Sequence, residues 1–258
     1  MSGKDHYYNK AKQEGYRARS AYKLQQLDET AGLLGEGRSV VDLGAAPGGW
    51  LQVAAERVGP SGRVVGVDRQ RIDAVEDAGA PVDTIRGDIT AETTRDAIRE
   101  AVGDEKADVV LSDMAPNMSG EYDLDHARSV HLARQALSVA LAVLGPGGDF
   151  VAKVFDGRDL DDLVRDVEPE FEYVRQVRPE ASRDESSELY LVAKGRLTAP
   201  VRAGDELEVE IVDTGREGDG IAKVEEYTVF VADADVGETV PVVVTDVKPR
   251  FGFAERRD

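Results

Sequence analysis

Strands alternate with helices from residue 39 to residue 193, a glycine-rich turn closes the first strand, and beyond residue 200 the helical period disappears. These three observations predict an α/β chain in which a doubly wound sheet is followed by a small all-β barrel. A chain of 258 residues is long enough for both.

The elements follow in order. Residues 1–23 carry Lys4, Lys10, Lys12, Arg17, Arg19 and Lys23 against Asp5 and Glu14, a net of +4. Tyr7, Tyr8, Tyr16 and Tyr22 lie among these bases, a composition suited to phosphate contact and base stacking and equally to a polar first helix. Residues 20–29 read as a helix with Ala21, Leu24 and Leu27 on one face. Strands are expected at 39–43, 64–68, 84–87, 108–112, 149–155, 171–177 and 189–193, the last two as a hairpin. Helices are expected near 50–58, 93–102, 125–144 and 160–167, the third stopped by Gly145-Pro-Gly-Gly148. After Leu197 to Pro200 come short alternating strands at 206–213, 220–224, 227–231 and 238–248. Glycine turns separate them, as a small closed barrel requires.

Composition limits the chemistry. There is no cysteine, so disulfides and thiolate sites are excluded, and the histidines (His6, His126 and His131) form no metal-ligand pattern. No metal is expected, and His126 and His131 read as solvated helix residues. The charged, tyrosine-rich amino terminus is unlike a secretory signal and no apolar run spans a bilayer, so a cytoplasmic protein without membrane contact is expected. The chain carries 51 acids against 32 bases, with nine lysines to 23 arginines. Acid excess with scarce lysine keeps a protein hydrated in concentrated salt, which points to a halophilic host. At molar salt the Debye length is roughly 3 Å, so long-range repulsion does not exclude a nucleic-acid substrate.

The glycine-rich turn is the sharpest signal. In Val40-Val-Asp-Leu-Gly-Ala-Ala-Pro-Gly-Gly-Trp50 the glycines fall at Gly44, Gly48 and Gly49, unlike the dinucleotide spacing. Asp68 ends the next strand twenty positions after Gly48, where a carboxylate can take two ribose hydroxyls. Asp-Leu-Gly-Ala-Ala-Pro-Gly-Gly-Trp resembles motif I of S-adenosylmethionine-dependent methyltransferases, and its Pro-Gly-Gly-Trp ending resembles the RlmE (FtsJ/RrmJ-like) ribose 2′-O-methyltransferases. That resemblance, over nearly residues 1–196, implies a Rossmann-like methyltransferase domain. It also implies cofactor contacts from Gly48, Trp50, Asp68, Asp88 and Asp113. Asp88, in Arg86-Gly-Asp-Ile89, suits a helix cap as well.

Methyl transfer to a ribose hydroxyl needs alignment and the management of one proton. Asp113 closes the fourth strand, Lys153 is a lone charge in Phe150-Val-Ala-Lys-Val-Phe155, Glu188 precedes Leu189-Tyr-Leu-Val192, and Lys23 lies on the first apolar-faced helix. Taken singly, Lys23 and Glu188 resemble ordinary solvated residues. Together the four match the family's Lys-Asp-Lys-Glu tetrad. The resemblance makes Lys153 the principal catalytic lysine and Asp113 its orienting carboxylate, with Lys23 and Glu188 holding the ribose and the charge network.

In residues 199–257, Gly-Asp-Gly-Ile-Ala-Lys-Val, Tyr-Thr-Val-Phe-Val and Phe251-Gly-Phe-Ala-Glu255 resemble the TRAM domain, an OB-like RNA-binding barrel. Through the carboxyl terminus this part carries seven bases against 15 acids, leaving a local patch near Lys223, Lys248, Arg250, Arg256 and Arg257 for phosphate. Phe230, Phe251 and Phe253 are candidates for stacking on bases, though in so small a barrel such rings are expected mainly in the core. The resemblances imply a methyltransferase that modifies a uridine 2′-hydroxyl in 23S rRNA on the 50S subunit, using S-adenosylmethionine and no obligate protein partner. A tRNA ribose methyltransferase and an assembly factor with dispensable catalysis remain alternatives. A small-molecule methyltransferase fits the basic aromatic arm and the second RNA-type module less well.

Overall fold

The computed structural model describes residues 3–76, 78–182 and 186–257, and the side chains of Lys4 and Asp5 in the basic arm lie outside the described set. Helices α1 (Gly3–Glu14) and α2 (Ala21–Ala31) precede the sheet. Then come β1 (Ser39–Leu43), α3 (Gly49–Val58), β2 (Arg63–Asp68), β3 (Val82–Arg86), α4 (Glu92–Val102) and β4 (Ala107–Ser112). The domain is completed by α5 (Tyr122–Val143), β5 (Leu144–Phe155), α6 (Leu160–Val167), β6 (Phe171–Val177) and β7 (Glu188–Arg196).

Seven strands form one sheet in the order β3-β2-β1-β4-β5-β7-β6. All neighbours pair in parallel except β7, which runs antiparallel to β5 and β6. Runs of valine, isoleucine and leucine suit strands covered on both faces. One face packs Val41, Leu43, Val110, Ala152 and Val154 against α4, α5 and α6. The other packs Val40, Leu111, Val151 and Tyr190 against α2 and α3. The order reverses between β1 and β4, so a crevice opens at their carboxyl ends.

A closed barrel follows, with order β10-β12-β11-β8-β9. Its strands are β8 (Glu206–Thr214), β9 (Gly220–Val224), β10 (Tyr227–Val231), β11 (Thr239–Val247) and β12 (Phe251–Arg256). Among the described contacts, the barrel meets the sheet at the amino ends of β5 and β6. A methyl added to Gly147 would meet Pro249 at 3.6 Å, and Lys248 Nζ lies 3.7 Å from Glu172.

Three expectations need correction. Strand β12 was not among the expected barrel strands, because Phe-Gly-Phe-Ala sets its large residues on the outer face. Gly252 and Ala254 point inward, where a methyl on Gly252 would strike the Asp246 carbonyl at 2.9 Å, while Phe251 and Phe253 are about two-fifths exposed (38% and 41%). Those rings are therefore on the surface and not in the core. His126 is buried rather than solvated: Nδ1 lies 2.8 Å from the Phe155 carbonyl and Nε2 accepts the Asp159 N–H at 3.0 Å. The two main-chain contacts tie the ring to both ends of the β5–α6 turn. Finally, Gly145-Pro-Gly-Gly148 does not simply end α5, since Leu144 already pairs with Ala107 and β5 begins there with a register break.

Candidate active site

Two ion pairs stand at the carboxyl ends of β4 and β5 and the amino end of the antiparallel β7, on the α2 side of the sheet. Lys153 Nζ donates to Asp113 Oδ1 at 3.0 Å and to the Asp113 carbonyl at 2.6 Å. Lys23 Nζ lies 2.6 Å from Glu188 Oε1, which also accepts Ser182 Oγ at 2.8 Å. Lys23, Lys153 and Glu188 are each only 8% exposed, so neither pair is a solvated surface contact. Strand pairing explains the grouping. Lys153 is opposite Tyr190 and Phe155 is opposite Glu188, which puts Lys153, Tyr190 and Glu188 on one face.

Tyr190 was not singled out from the sequence, yet it joins the two pairs. Its hydroxyl donates to Asp113 Oδ1 at 2.6 Å, and the Lys23 ammonium lies 5.9 Å from its ring centre. Burial, then the nearby Asp113 and Glu188 carboxylates, push the Tyr190 hydroxyl well above its ordinary value, so it remains a donor. Its signal in the sequence was a polar-tipped residue inside an apolar strand. Asp42 was also passed over. It is 1% exposed, both of its oxygens lack a partner, and burial followed by repulsion from Asp113 and Asp68 holds its carboxyl well above the usual range.

Beside this cluster a cleft of about 720 Å3 is lined by Gly44, Ala46, Asp68, Asp88, Ile89, Asp113, Met114 and Gln135, among others. Gly44 has φ of 81°, and a Cβ there would lie 2.4 Å from Met114 Cγ, so only glycine keeps this wall thin. Gly48 has φ of 108° and stands at the amino end of α3, where main-chain N–H groups face out of the helix. Asp68 accepts the Ala46 N–H at 3.0 Å through Oδ2 and the Gln70 N–H at 2.7 Å through Oδ1. Each oxygen retains a second lone pair, enough for a ribose diol. Asp88 Oδ1 takes both the N–H and the hydroxyl of Thr90, bonds that hold its carboxyl below the ordinary range. It therefore caps the turn before α4 and still lines the cleft. Asp68 and Asp88 on neighbouring strand ends, with a thin glycine wall between β1 and β4, fit a nucleoside-bearing methyl donor.

Trp50 does not line this cleft with its side chain. The indole is turned into the α2 interface, where Nε1 donates to the Ser20 carbonyl at 2.8 Å and the ring lies 5.8 Å from Tyr190. What Trp50 offers a ligand is its main chain.

The basic arm is largely committed to the protein itself. Arg17 donates to the carbonyls of Pro47 (3.2 Å), Asp73 (2.6 Å) and Ala74, bracing the glycine loop. Arg19 donates to the Ala181 carbonyl at 3.0 Å. Tyr22 is buried with its hydroxyl on Glu14 at 2.7 Å, and Tyr16 donates to Glu56 at 2.8 Å. Burial, reinforced by Glu56, pushes the Tyr16 hydroxyl up to about 12. Tyr7 packs on Tyr22, so of the four tyrosines only Tyr8, 61% exposed, presents a free ring. The arm that composition offered to RNA is mostly a strap over α2 and the cofactor loop.

On the barrel, Phe230, Phe251 and Phe253 form one cluster with ring centres 5.6–5.9 Å apart. Thr228 pairs with both Lys223 and Phe251, and its hydroxyl accepts Lys223 Nζ at 2.7 Å, so a cation borders the rings.

Residues 16–196 match the FtsJ-like methyltransferase family, and residues 200–256 match the TRAM domain. The chain belongs to the FtsJ-like methyltransferases. It is 70% identical to the ribosomal RNA large subunit methyltransferase E of Haloarcula marismortui, covering 99% of each chain. The enzyme of the same name from Methanosarcina mazei is 49% identical over 98% of this chain and 92% of that one. A crystal structure described as a ribosomal RNA methyltransferase from Plasmodium falciparum superposes with a TM-score of 0.62 at 27% identity, covering 70% of this chain and 98% of that one. Relatives from halophilic archaea at 64–70% identity accord with the acidic, lysine-poor composition. Among the described residues no helix is long and apolar enough to cross a membrane.

Proposed function

We propose that the chain methylates a uridine ribose 2′-oxygen of large-subunit rRNA, with S-adenosylmethionine as donor. The observation that carries this reading is the Lys153–Asp113–Tyr190 cluster at the lip of the cleft lined by Asp68 and Asp88. When bound there, the donor supplies a methyl already activated by its sulfonium centre.

The chain's own residues then have three tasks. Asp68 and Asp88 hold the ribose and adenine of the donor, and the α3 amino end, with Gly48 and the Trp50 main chain, receives its amino-acid part. Lys153, fixed by two bonds to Asp113, presents its nitrogen where the acceptor hydroxyl loses a proton and negative charge develops. Lys23 and Glu188, paired to one side, hold the acceptor ribose and keep the local charge balanced. Residues 1–196 act as the catalytic unit and 199–257 as an RNA-contacting appendage. The names of the relatives support the rRNA assignment, and a ribosomal substrate places the protein in the cytoplasm.

The decisive test is transfer of labelled methyl to purified 50S subunits from cells lacking this gene, followed by mapping. Label on one uridine ribose is the expected result. Label on tRNA, on a base, or nowhere in the subunit overturns the assignment.

A further inference from the structure

The amino end of α5 is tied unusually firmly to the carboxyl end of β5. Ser129 Oγ accepts the Phe155 N–H at 3.0 Å, His126 grips the Phe155 carbonyl and the Asp159 N–H, and the Tyr122 hydroxyl donates to the Asp156 carbonyl at 2.6 Å. The preceding turn is fixed as well. The Asp125 carboxylate accepts the Ser119 N–H and hydroxyl, both at 2.8 Å, and the Gly120 N–H at 3.1 Å. Yet the Tyr122 side chain stays 57% exposed, and Met118 on the same turn is 63% exposed. An aromatic ring is thus held in one place and left uncovered, with no packing role that explains the effort.

Its place is informative. Asp156, which anchors the hydroxyl, follows Phe155, the strand partner of Glu188, and lies three residues beyond Lys153. A base is joined to C1′, next to the C2′ that bears the reacting oxygen, so it must lie immediately beside the tetrad. One flank is taken by the donor cleft at β1 and β2, and another is filled by Lys23, Glu188 and Tyr190. The remaining flank is the segment from Met118 to Asp123, beyond the cleft-lining Ala115 and Asn117. This segment carries Glu121 and Asp123 next to the ring, so a base face suits it and a phosphate does not. Arg128, whose guanidinium reaches the Asn117 carbonyl, and the 86%-exposed Arg158, two residues beyond the Asp156 anchor, suit the flanking phosphates.

We propose that Tyr122 is the stacking surface for the base of the nucleotide being methylated, with Met118 extending it. The inference rests on the RNA-methyltransferase reading and adds to it the residue that seats the target base outside a helical stack. The hydroxyl tether pre-sets the ring and reduces the ordering cost on binding.

The test uses the full chain in molar salt. With subunits from cells lacking this gene, Tyr122→Ala raises KM roughly ten-fold while the donor dissociation constant stays unchanged. Tyr122→Phe, which keeps the ring and loses the tether, falls between Tyr122→Ala and the parent. A KM for Tyr122→Ala within about two-fold of the parent overturns the proposal. A second readout does not depend on which RNA is the natural substrate. In a Tyr122→Trp variant the new indole is exposed while Trp50 is buried, so stacking with a single-stranded uridine oligonucleotide quenches its fluorescence. Absence of quenching overturns the proposal even if methylation proceeds. Failure of the parent to methylate subunits, with quenching intact, instead overturns the functional reading alone.

Discussion

Tyr190 and Asp113 are 77 residues apart in sequence and 2.6 Å apart at the hydroxyl–carboxylate contact, which lands on the same Oδ1 that holds Lys153. One carboxylate oxygen therefore sets the position of both donors. Removing the tyrosine hydroxyl frees Asp113 to turn without emptying the core, because the ring still packs on Trp50. Tyr190→Phe is expected to lower kcat about ten-fold, roughly 1.4 kcal/mol, with the melting temperature nearly unchanged. Steady-state kinetics beside thermal unfolding checks this, and an unaltered kcat would remove Tyr190 from the site.

Lys153→Ala is expected to lower methyl transfer by at least about 100-fold while the donor still binds, since the cleft lined by Asp68 and Asp88 does not depend on it. Label-transfer assays and calorimetric titration of the donor separate the two effects. Substantial activity in the variant refutes the assigned role.

The Lys23–Glu188 pair can be divided into structural and chemical parts. Glu188→Gln alone leaves a buried ammonium without its counter-ion and should cost about 3 kcal/mol in denaturant unfolding. The double variant Lys23→Met, Glu188→Gln should regain most of that stability and none of the lost methylation. Recovery of activity along with stability would show the pair to be scaffold only.

Asp42 predicts a pH dependence whose sign follows from its burial. Its folded carboxyl holds a proton more tightly than the ordinary value of 3.8, so the folded state binds more protons and stability declines as pH rises from there toward the raised value. Asp42→Asn removes that decline. The stability gap between variant and parent should widen as pH rises above about 4 in denaturant titrations. A variant that tracks the parent at every pH contradicts the argument.

The exposed phenylalanines give a fifth contrast. Phe251→Ser with Phe253→Ser should leave the barrel folded, because the inner face is built from Val229, Val231, Val242 and Ala254. Binding of large-subunit RNA should weaken about five-fold or more if the rings stack on bases. Unchanged affinity in a filter-binding or mobility assay would assign them another purpose.

The strands of the sheet were legible because β-branched runs end in turns with strong local chemistry, and the tetrad through its match to the family's motif, since Lys23 on α2 and Glu188 taken singly looked like solvated residues. Residues whose meaning depends on distant partners were not. His126 looked like a solvated helix residue, since the groups that bury it are main-chain atoms near residue 155, about thirty positions away. Tyr190 and Asp42 read as strand residues until pairing placed them beside Asp113 and Lys153. The arm stayed open between two readings for a related reason: composition reports charge and rings, and only contacts reveal that Arg17 and Tyr22 are already occupied. Strand β12 escaped notice because its small residues Gly252 and Ala254 face inward, where Gly252 lies close to the Asp246 carbonyl, and its phenylalanines face out.

The barrel adjoins Gly147 and Glu172, at the opposite end of the strands from Lys153. Five steps from Gly148, level with Glu172, to Lys153, at ~3.3 Å each, separate those levels by ~17 Å. A duplex advancing ~3.4 Å per base pair needs about five pairs merely to match that height, before any path around the domain is counted. The molecule is thus a caliper: a short oligonucleotide reaches one jaw or the other, and only an extended or folded RNA closes on both.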